Sequence, residues 1–175
     1  MPGQQTFEAD VEQVLIVDDH NHVLGSAPRP KMREEGLCHR ATYVFVFNAK
    51  GQLHVQERTL SKDIYPGFYD PATGGVVTEG ESYDKAAVRE LAEELGIENT
   101  PVTPHFHFFF HNDDCQVWGR VYSCRYDGSL TLQQEEVADV VFESPEEILA
   151  NRYHRNYTPD SLAALERLVH CLRQI

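Results

Sequence analysis

The strongest constraint on this chain lies between Gly74 and Ile97, where a paired-glycine loop runs directly into a segment of helical periodicity, Glu81 to Leu95, that stops at Gly96. Glycine after the last periodic residue is a good helix terminator, because it enters the left-handed conformation without a Cβ penalty. At about 100° per residue, Glu90, Glu93 and Glu94 fall at i, i+3 and i+4 and share one face, while Val88, Leu91, Ala92 and Leu95 form the other. The apolar face is expected to dock on a core through Val88, Leu91 and Leu95. The acidic face gathers three carboxylates whose mutual repulsion calls for a counter-ion. Oxygen-only ligands of this kind suit Mg²⁺ or Mn²⁺, which keep some waters and bridge to substrate phosphates. The plainer alternative is a solvated acidic helix face.

The neighbouring positions have their own physical reasons. Gly74 and Gly75 let the backbone approach metal or phosphate oxygens. Glu81 precedes the helix and braces the loop or reaches the metals through water. Arg89 lies four residues before Glu93 and can orient a carboxylate with charge-assisted hydrogen bonds. Ser82 is the expected N-cap, and Asp84 complements the dipole of the first turn.

The whole pattern from Gly75 to Ile97 matches the Nudix box: a glycine, five residues, Glu81, seven residues, then Arg89-Glu90-apolar-any-Glu93-Glu94-any-Gly96-apolar. Seven specified residue types at ~7% usage, with two apolar positions, arise by chance at roughly one start in 10⁹. The chain is therefore identified as resembling the Nudix family. From about Val11 to Arg173 it is similar to the isopentenyl diphosphate isomerase-like branch, which includes small bacterial hydrolases of unassigned substrate. The marks of that branch are the strand beginning His39-Arg40-Ala41, Gln56-Glu57-Arg58 with Ser61-Lys62-Asp63, and the approach Tyr65-Pro66-Gly67-Phe68 to the glycines.

The resemblance implies an α/β/α sandwich with a central mixed sheet. It also implies Mg²⁺ or Mn²⁺ held by Glu90, Glu93 and Glu94, and hydrolysis of a phosphate-phosphate bond in a nucleoside diphosphate derivative or other small diphosphate metabolite. Glu94 or Glu93 would orient or deprotonate the attacking water, with Arg89 and Glu81 in support. In some relatives the base comes from a later loop, so Glu135 and Glu136 stay open beside them. Arg58, Lys62, Gly74, Gly75 and Arg120 are the expected substrate contacts. The isomerases carry a catalytic Cys and a metal-binding His where this chain has Gly74 and Val76. Isomerase-like activity is thus the alternative that the residues oppose, and an inactive nucleotide-binding sensor is a third.

The rest of the chain sets the frame. Strand signals with alternating apolar residues and helical signals are mixed along it, which favours α/β or α+β architecture over a doubly wound parallel sheet. Ala41 to Phe47 and Leu53 to Arg58, joined by Asn48-Ala49-Lys50-Gly51, make the strongest hairpin signal, and Ala72 to Val77 reads as a short buried strand. Residues 1–10 are expected to be a flexible N-terminus and 11–175 one domain. A net charge of −13 opposes binding to nucleic-acid polymers but tolerates a small phosphorylated substrate where divalent cations invert the local field. No stretch approaches the ~18 apolar residues of a membrane span, so a cytoplasmic protein, compatible with a homodimer, is expected. Cys38, Cys115, Cys124 and Cys171 show no C-x-x-C pairing and read as reduced thiols. In the run His105 to His111, period-2 geometry puts His105, His107, Phe109 and His111 on one face and Phe106, Phe108 and Phe110 on the other. A buried Phe face beside a wet His face is preferred there to a zinc site, and His39 is expected to be structural or substrate-lining.

Overall fold

The computed structural model describes residues 11–174, so the expectation for residues 1–10 lies outside it. An eight-stranded mixed sheet forms the middle layer. Its centre is β3 (His39–Phe47), which runs parallel to β7 (Gln116–Arg125) from His39↔Val117 to Phe47↔Arg125. Around that pair the sheet is antiparallel: β7 with β6 (Thr103–His111), and β4 (Leu53–Arg58) with β8 (Val137–Glu143) and the short β5 (Tyr69–Asp70). The hairpin of β1 (Gln13–Val17) and β2 (Val23–Pro28) joins β3 through Ile16↔His39.

Strand alternation separates two cores. Ala41, Tyr43 and Phe45 of β3 face a cluster completed by Ala164, Leu165 and Leu168 of α4 (Pro159–Leu172) and Ile148 of α3 (Pro145–Ala150). Val44 and Val46 face the other way, against Tyr83, Ala86, Ala87, Leu91 and Leu95 of α2 (Tyr83–Leu95). The expected α/β/α layering and mixed sheet are present. A further short helix, α1 (Arg29–Glu35), closes at Gly36 beside the β1–β2 hairpin.

Three expectations change in detail. The β3–β4 hairpin exists but is paired only at Phe47↔Leu53, because the strands diverge toward other partners, β7 and β8. Ala72 to Val77 is buried beside β3 but pairs through isolated bridges, Thr73↔Val44 and Val76↔Ala41. Continuous pairing is interrupted at Gly74, where the backbone passes so near Thr42 O that a Cβ would lie 1.9 Å from it. Val88 is 55% exposed and does not dock. The docked stripe of α2 runs through Tyr83, Ala86, Ala87, Leu91 and Leu95, and it carries Glu90 and Glu94 into the interior beside it.

Candidate active site at the glycine loop and the acidic helix

Local sequence fixes the frame of the site. The Ser82 side chain accepts the Lys85 amide and starts α2, and Gly96 ends it at φ 69°. Between these caps, Glu90 and Glu94 are 9% and 5% exposed. Such burial of two carboxylates one turn apart is costly unless partners compensate. Glu94 Oε2 accepts from Gln56 Nε2 at 3.2 Å and from the Gly74 amide at 3.3 Å. Gln56 also donates to Thr73 Oγ1, so β4 holds the loop and the helix together. Glu90 lies against Gly75, where a Cβ would come within 2.6 Å of Oε1, which explains why glycine stands there.

Arg89 organises the acidic groups. Its guanidinium donates to Glu81 Oε2 at 2.7 Å and Oε1 at 2.9 Å, to Glu90 Oε1 at 2.9 Å and to Glu93 Oε2 at 3.2 Å, with a further bond to Val76 O. Glu81 also accepts from the Thr78 amide and hydroxyl, so it anchors Arg89 to the loop. Although burial opposes its charged form, the Arg89 guanidinium and Thr78 hold the Glu81 carboxyl below its ordinary range. Glu94 moves the opposite way: burial and the neighbouring Glu90 push its carboxyl up, and burial raises Glu90 as well. The pair is an acidic site short of positive charge. Glu93 is the more open member, with a half-exposed side chain.

The backbone of Gly74, Gly75 and Val76 also lines a cavity running over the sheet toward α4. Arg58 and Lys62 line it. Arg58 is committed to the carbonyls of Tyr65 and Ile64 and to Asp70, and Lys62 Nζ pairs with Glu136. Arg29 and Arg33, which the sequence did not single out, line it too, both bound to Asp63. Arg120 lies elsewhere. It pairs with Asp84 at 3.0 Å and lies over the Tyr122 ring, apart from the cavity lining, because its position on β7 faces the first turn of α2. Glu135 is exposed, whereas Glu136 reaches the site through Lys62. His39 is buried and lines the cavity, its Nδ1 3.3 Å from Leu37 O.

Other candidates fall into place. On β6, Phe108 is buried with Phe106 and Phe110 packed beside it, while His107 and His111 are exposed and His105 contacts Ser123 Oγ. Among the described residues, the one group of three ligand-type side chains with atoms within 4.8 Å of one another is Asp18, Asp19 and His20, in the β1–β2 turn. Glu90, Glu93 and Glu94 share α2 without ligand atoms all within that distance, and Arg89 Nη1 donates to both Glu90 and Glu93. The sequence reading missed Gln56 as a partner of Glu94. Strand β4, Leu-His-Val-Gln-Glu-Arg, carries no local signal for that contact.

Comparison with known proteins gives a consistent family. The NUDIX domain model matches residues 38–164. An uncharacterized Nudix hydrolase of Yersinia pestis is 45% identical over 162 residues, 93% of this chain and 88% of that protein. One from Pseudomonas aeruginosa is 45% identical over 157 residues, covering 90% and 93%. Among solved structures, DR0079 from Deinococcus radiodurans superposes with a TM-score of 0.78 at 27% identity, covering 89% of this chain and 98% of that one.

Proposed function

The chain belongs to the Nudix hydrolase family, and on that premise we propose that it cleaves a phosphate-phosphate bond in a nucleoside diphosphate derivative or other small diphosphate metabolite, with Mg²⁺ or Mn²⁺ held by Glu90, Glu93 and Glu94. The observation that carries this reading is the pair Glu90 and Glu94, buried one turn apart against the Gly74-Gly75 backbone that walls the cavity. The donor set fits a hard divalent cation. It offers only oxygen, two of its carboxylates are held up by burial and by each other, and the nearest guanidinium is shared among three acids.

When bound, the metal supplies charge neutralisation at the diphosphate oxygens and polarisation of a water. The chain's own groups do the rest. Glu94, or Glu93 beside it, takes the proton of the attacking water. Arg89, fixed by Glu81, sets the orientation of Glu90 and Glu93. Lys62, Arg29 and Arg33 line the cavity, Lys62 paired with Glu136 and both arginines with Asp63.

Isomerase chemistry is opposed at two positions. A side chain at Gly74 would collide with the Thr42 carbonyl, and Val76 is buried with Val14 and Met32. The test is a screen of nucleoside di- and triphosphates, sugar nucleotides, dinucleotides and prenyl diphosphates with Mg²⁺ and with Mn²⁺. Metal-dependent release of a phosphorylated product from at least one class is expected. Carbon-bound hydrogen exchange in isopentenyl diphosphate without anhydride cleavage would overturn the proposal.

A further inference from the structure

The far end of the cavity contains polar groups that the hydrolytic site does not use. Thr158 caps α4 by position, yet its hydroxyl makes no cap bond. The residue is 1% exposed, lines the cavity, and its Oγ1 has no hydrogen-bond partner among the described residues. A buried hydroxyl left this way is rare in native proteins unless a water or ligand completes it. Two residues on, Asp160 lines the same end. One of its oxygens accepts from Tyr43 Oη at 2.7 Å, which leaves acceptor capacity on the carboxyl. Asp70, also in the lining, accepts from the Ala72 amide and pairs with Arg58 at 3.6 Å. The side walls between this end and the glycine loop include Ala41, Ile64 and Val117.

Tyr43 has committed its proton to Asp160, which keeps acceptor capacity, and the Thr158 hydroxyl can both donate and accept. An Asp160 carboxylate at the start of α4 would repel a second phosphate there, despite the favourable helix dipole. An apolar tail would leave Thr158 and Asp160 unpaired, and sites built from buried polar groups reject partners that cannot pair with them.

We propose that Thr158 and Asp160, with Tyr43 orienting Asp160, form the specificity subsite of this enzyme, and that it takes the remote end of a diphosphate ester bearing hydroxyl or N–H donors. The inference rests on the proposed placement of the diphosphate at Glu90 and Glu94. The cavity lining includes both Gly74, whose amide is bonded to Glu94, and Thr158. The subsite therefore reads what is attached to the diphosphate, and the acidic helix acts on the anhydride.

The test uses the full chain and calorimetric binding with Ca²⁺ in place of the working metal, for four probes: ADP-ribose, UDP-glucose, dimethylallyl diphosphate and inorganic diphosphate. At least one of the two polar-headed probes is expected to bind more tightly than dimethylallyl or inorganic diphosphate. Thr158→Val, which keeps the shape and removes the hydroxyl, is expected to weaken that probe about tenfold and to leave inorganic diphosphate unchanged, while Thr158→Ser restores the affinity. Asp160→Asn is expected to weaken the same probe and not dimethylallyl diphosphate. Equal affinity of Thr158→Val and the parent for every probe would show a hydroxyl satisfied by structural water and would overturn the proposal. So would binding in which dimethylallyl diphosphate equals or exceeds both polar-headed probes. Selective binding of a polar-headed probe without cleavage under Mg²⁺ or Mn²⁺ would instead sink the hydrolytic reading and leave the subsite standing.

Discussion

The amide of Gly74 donates to Glu94 Oε2 at 3.3 Å, so the glycine loop and the acidic helix meet in one hydrogen bond at the wall of the cavity. Gln56 holds the same oxygen from the sheet at 3.2 Å. Glu94 is thereby fixed from two sides and cannot swing to solvent, which ties the geometry of the loop to that of the candidate metal ligands.

Gly74 and Gly75 are expected to respond differently to added bulk. A Cβ at Gly74 meets the Thr42 backbone at 1.9 Å, whereas at Gly75 it meets the movable Glu90 carboxyl at 2.6 Å. Gly74→Ala should cost on the order of 3 kcal/mol or more, because β3 or the loop must shift. Gly75→Ala should fold with a smaller loss but displace Glu90, lowering metal-dependent hydrolysis more than stability. Installing the isomerase residues through Gly74→Cys and Val76→His is expected to give a destabilised protein without isomerase activity. Urea denaturation and activity of the variants check this, and a Gly74→Ala protein as stable as the parent would contradict the close approach.

Arg89 spans Glu81, Glu90, Glu93 and Val76 O in a way that a lysine ammonium cannot. Arg89→Lys is therefore expected to fold but to lose roughly 10- to 100-fold in metal affinity or activity, as happens when groups that orient metal ligands are removed. A Mg²⁺ titration of turnover compares the two, and an unchanged curve would mean that the fork geometry is unimportant.

These sites differ in how far they could be read from sequence. The acidic helix, its caps and the Arg89 spacing are local, and local spacing is what a sequence displays. Periodicity placed Val88 on the docked stripe, but the phase of that stripe is set by tertiary contacts, and burying Glu90 and Glu94 rotates Val88 outward. The β3–β4 turn was legible, whereas the parallel pairing of β3 with β7, His39↔Val117 to Phe47↔Arg125, joins residues far apart in the chain and leaves no short-range mark. The far end of the cavity was invisible for the same reason: Tyr43 and Asp160 meet across 117 positions. The place of Arg120 was equally hidden, since a basic residue on a strand gives no short-range sign of which face it serves.

Glu94→Gln keeps shape and one acceptor oxygen while removing the charge. In the metal-free parent, burial and Glu90 keep the proton on Glu94 above the ordinary carboxylate range. The folded state then binds more protons than the unfolded one, so parent stability falls as pH rises from about 4.5 through the folded value. The variant lacks that fall and should melt above the parent in alkaline, metal-free buffer. Metal-dependent hydrolysis should drop on the order of 10²-fold or more. A variant that turns over fully and saturates with Mg²⁺ like the parent would place Glu94 outside the catalytic site, and the search for the base would move to Glu93 and Glu136.

His39 gives a pH dependence of opposite sign. Its ring is buried against β1 and the cavity, and burial, with Arg33 and Arg29 nearby, holds it down to about 4 from an ordinary value of 6.5, against the smaller pull of Asp63 and Leu37 O. Between those values the unfolded chain takes up a proton that the folded chain refuses, so stability is full above pH 6.5 and falls as pH drops toward 4. The interval corresponds to roughly 3 kcal/mol. Raised carboxyls such as Glu94 and Asp160 push the other way in the same range, so the curve of one protein alone does not isolate the histidine. His39→Gln removes the titration and leaves those carboxyls in place. The difference in unfolding free energy between parent and variant, followed by urea denaturation from pH 7 to pH 4, should therefore move by about 3 kcal/mol in favour of the variant. A constant difference would mean that the imidazole is protonated in the folded protein and that its burial is relieved by a partner the geometry does not supply.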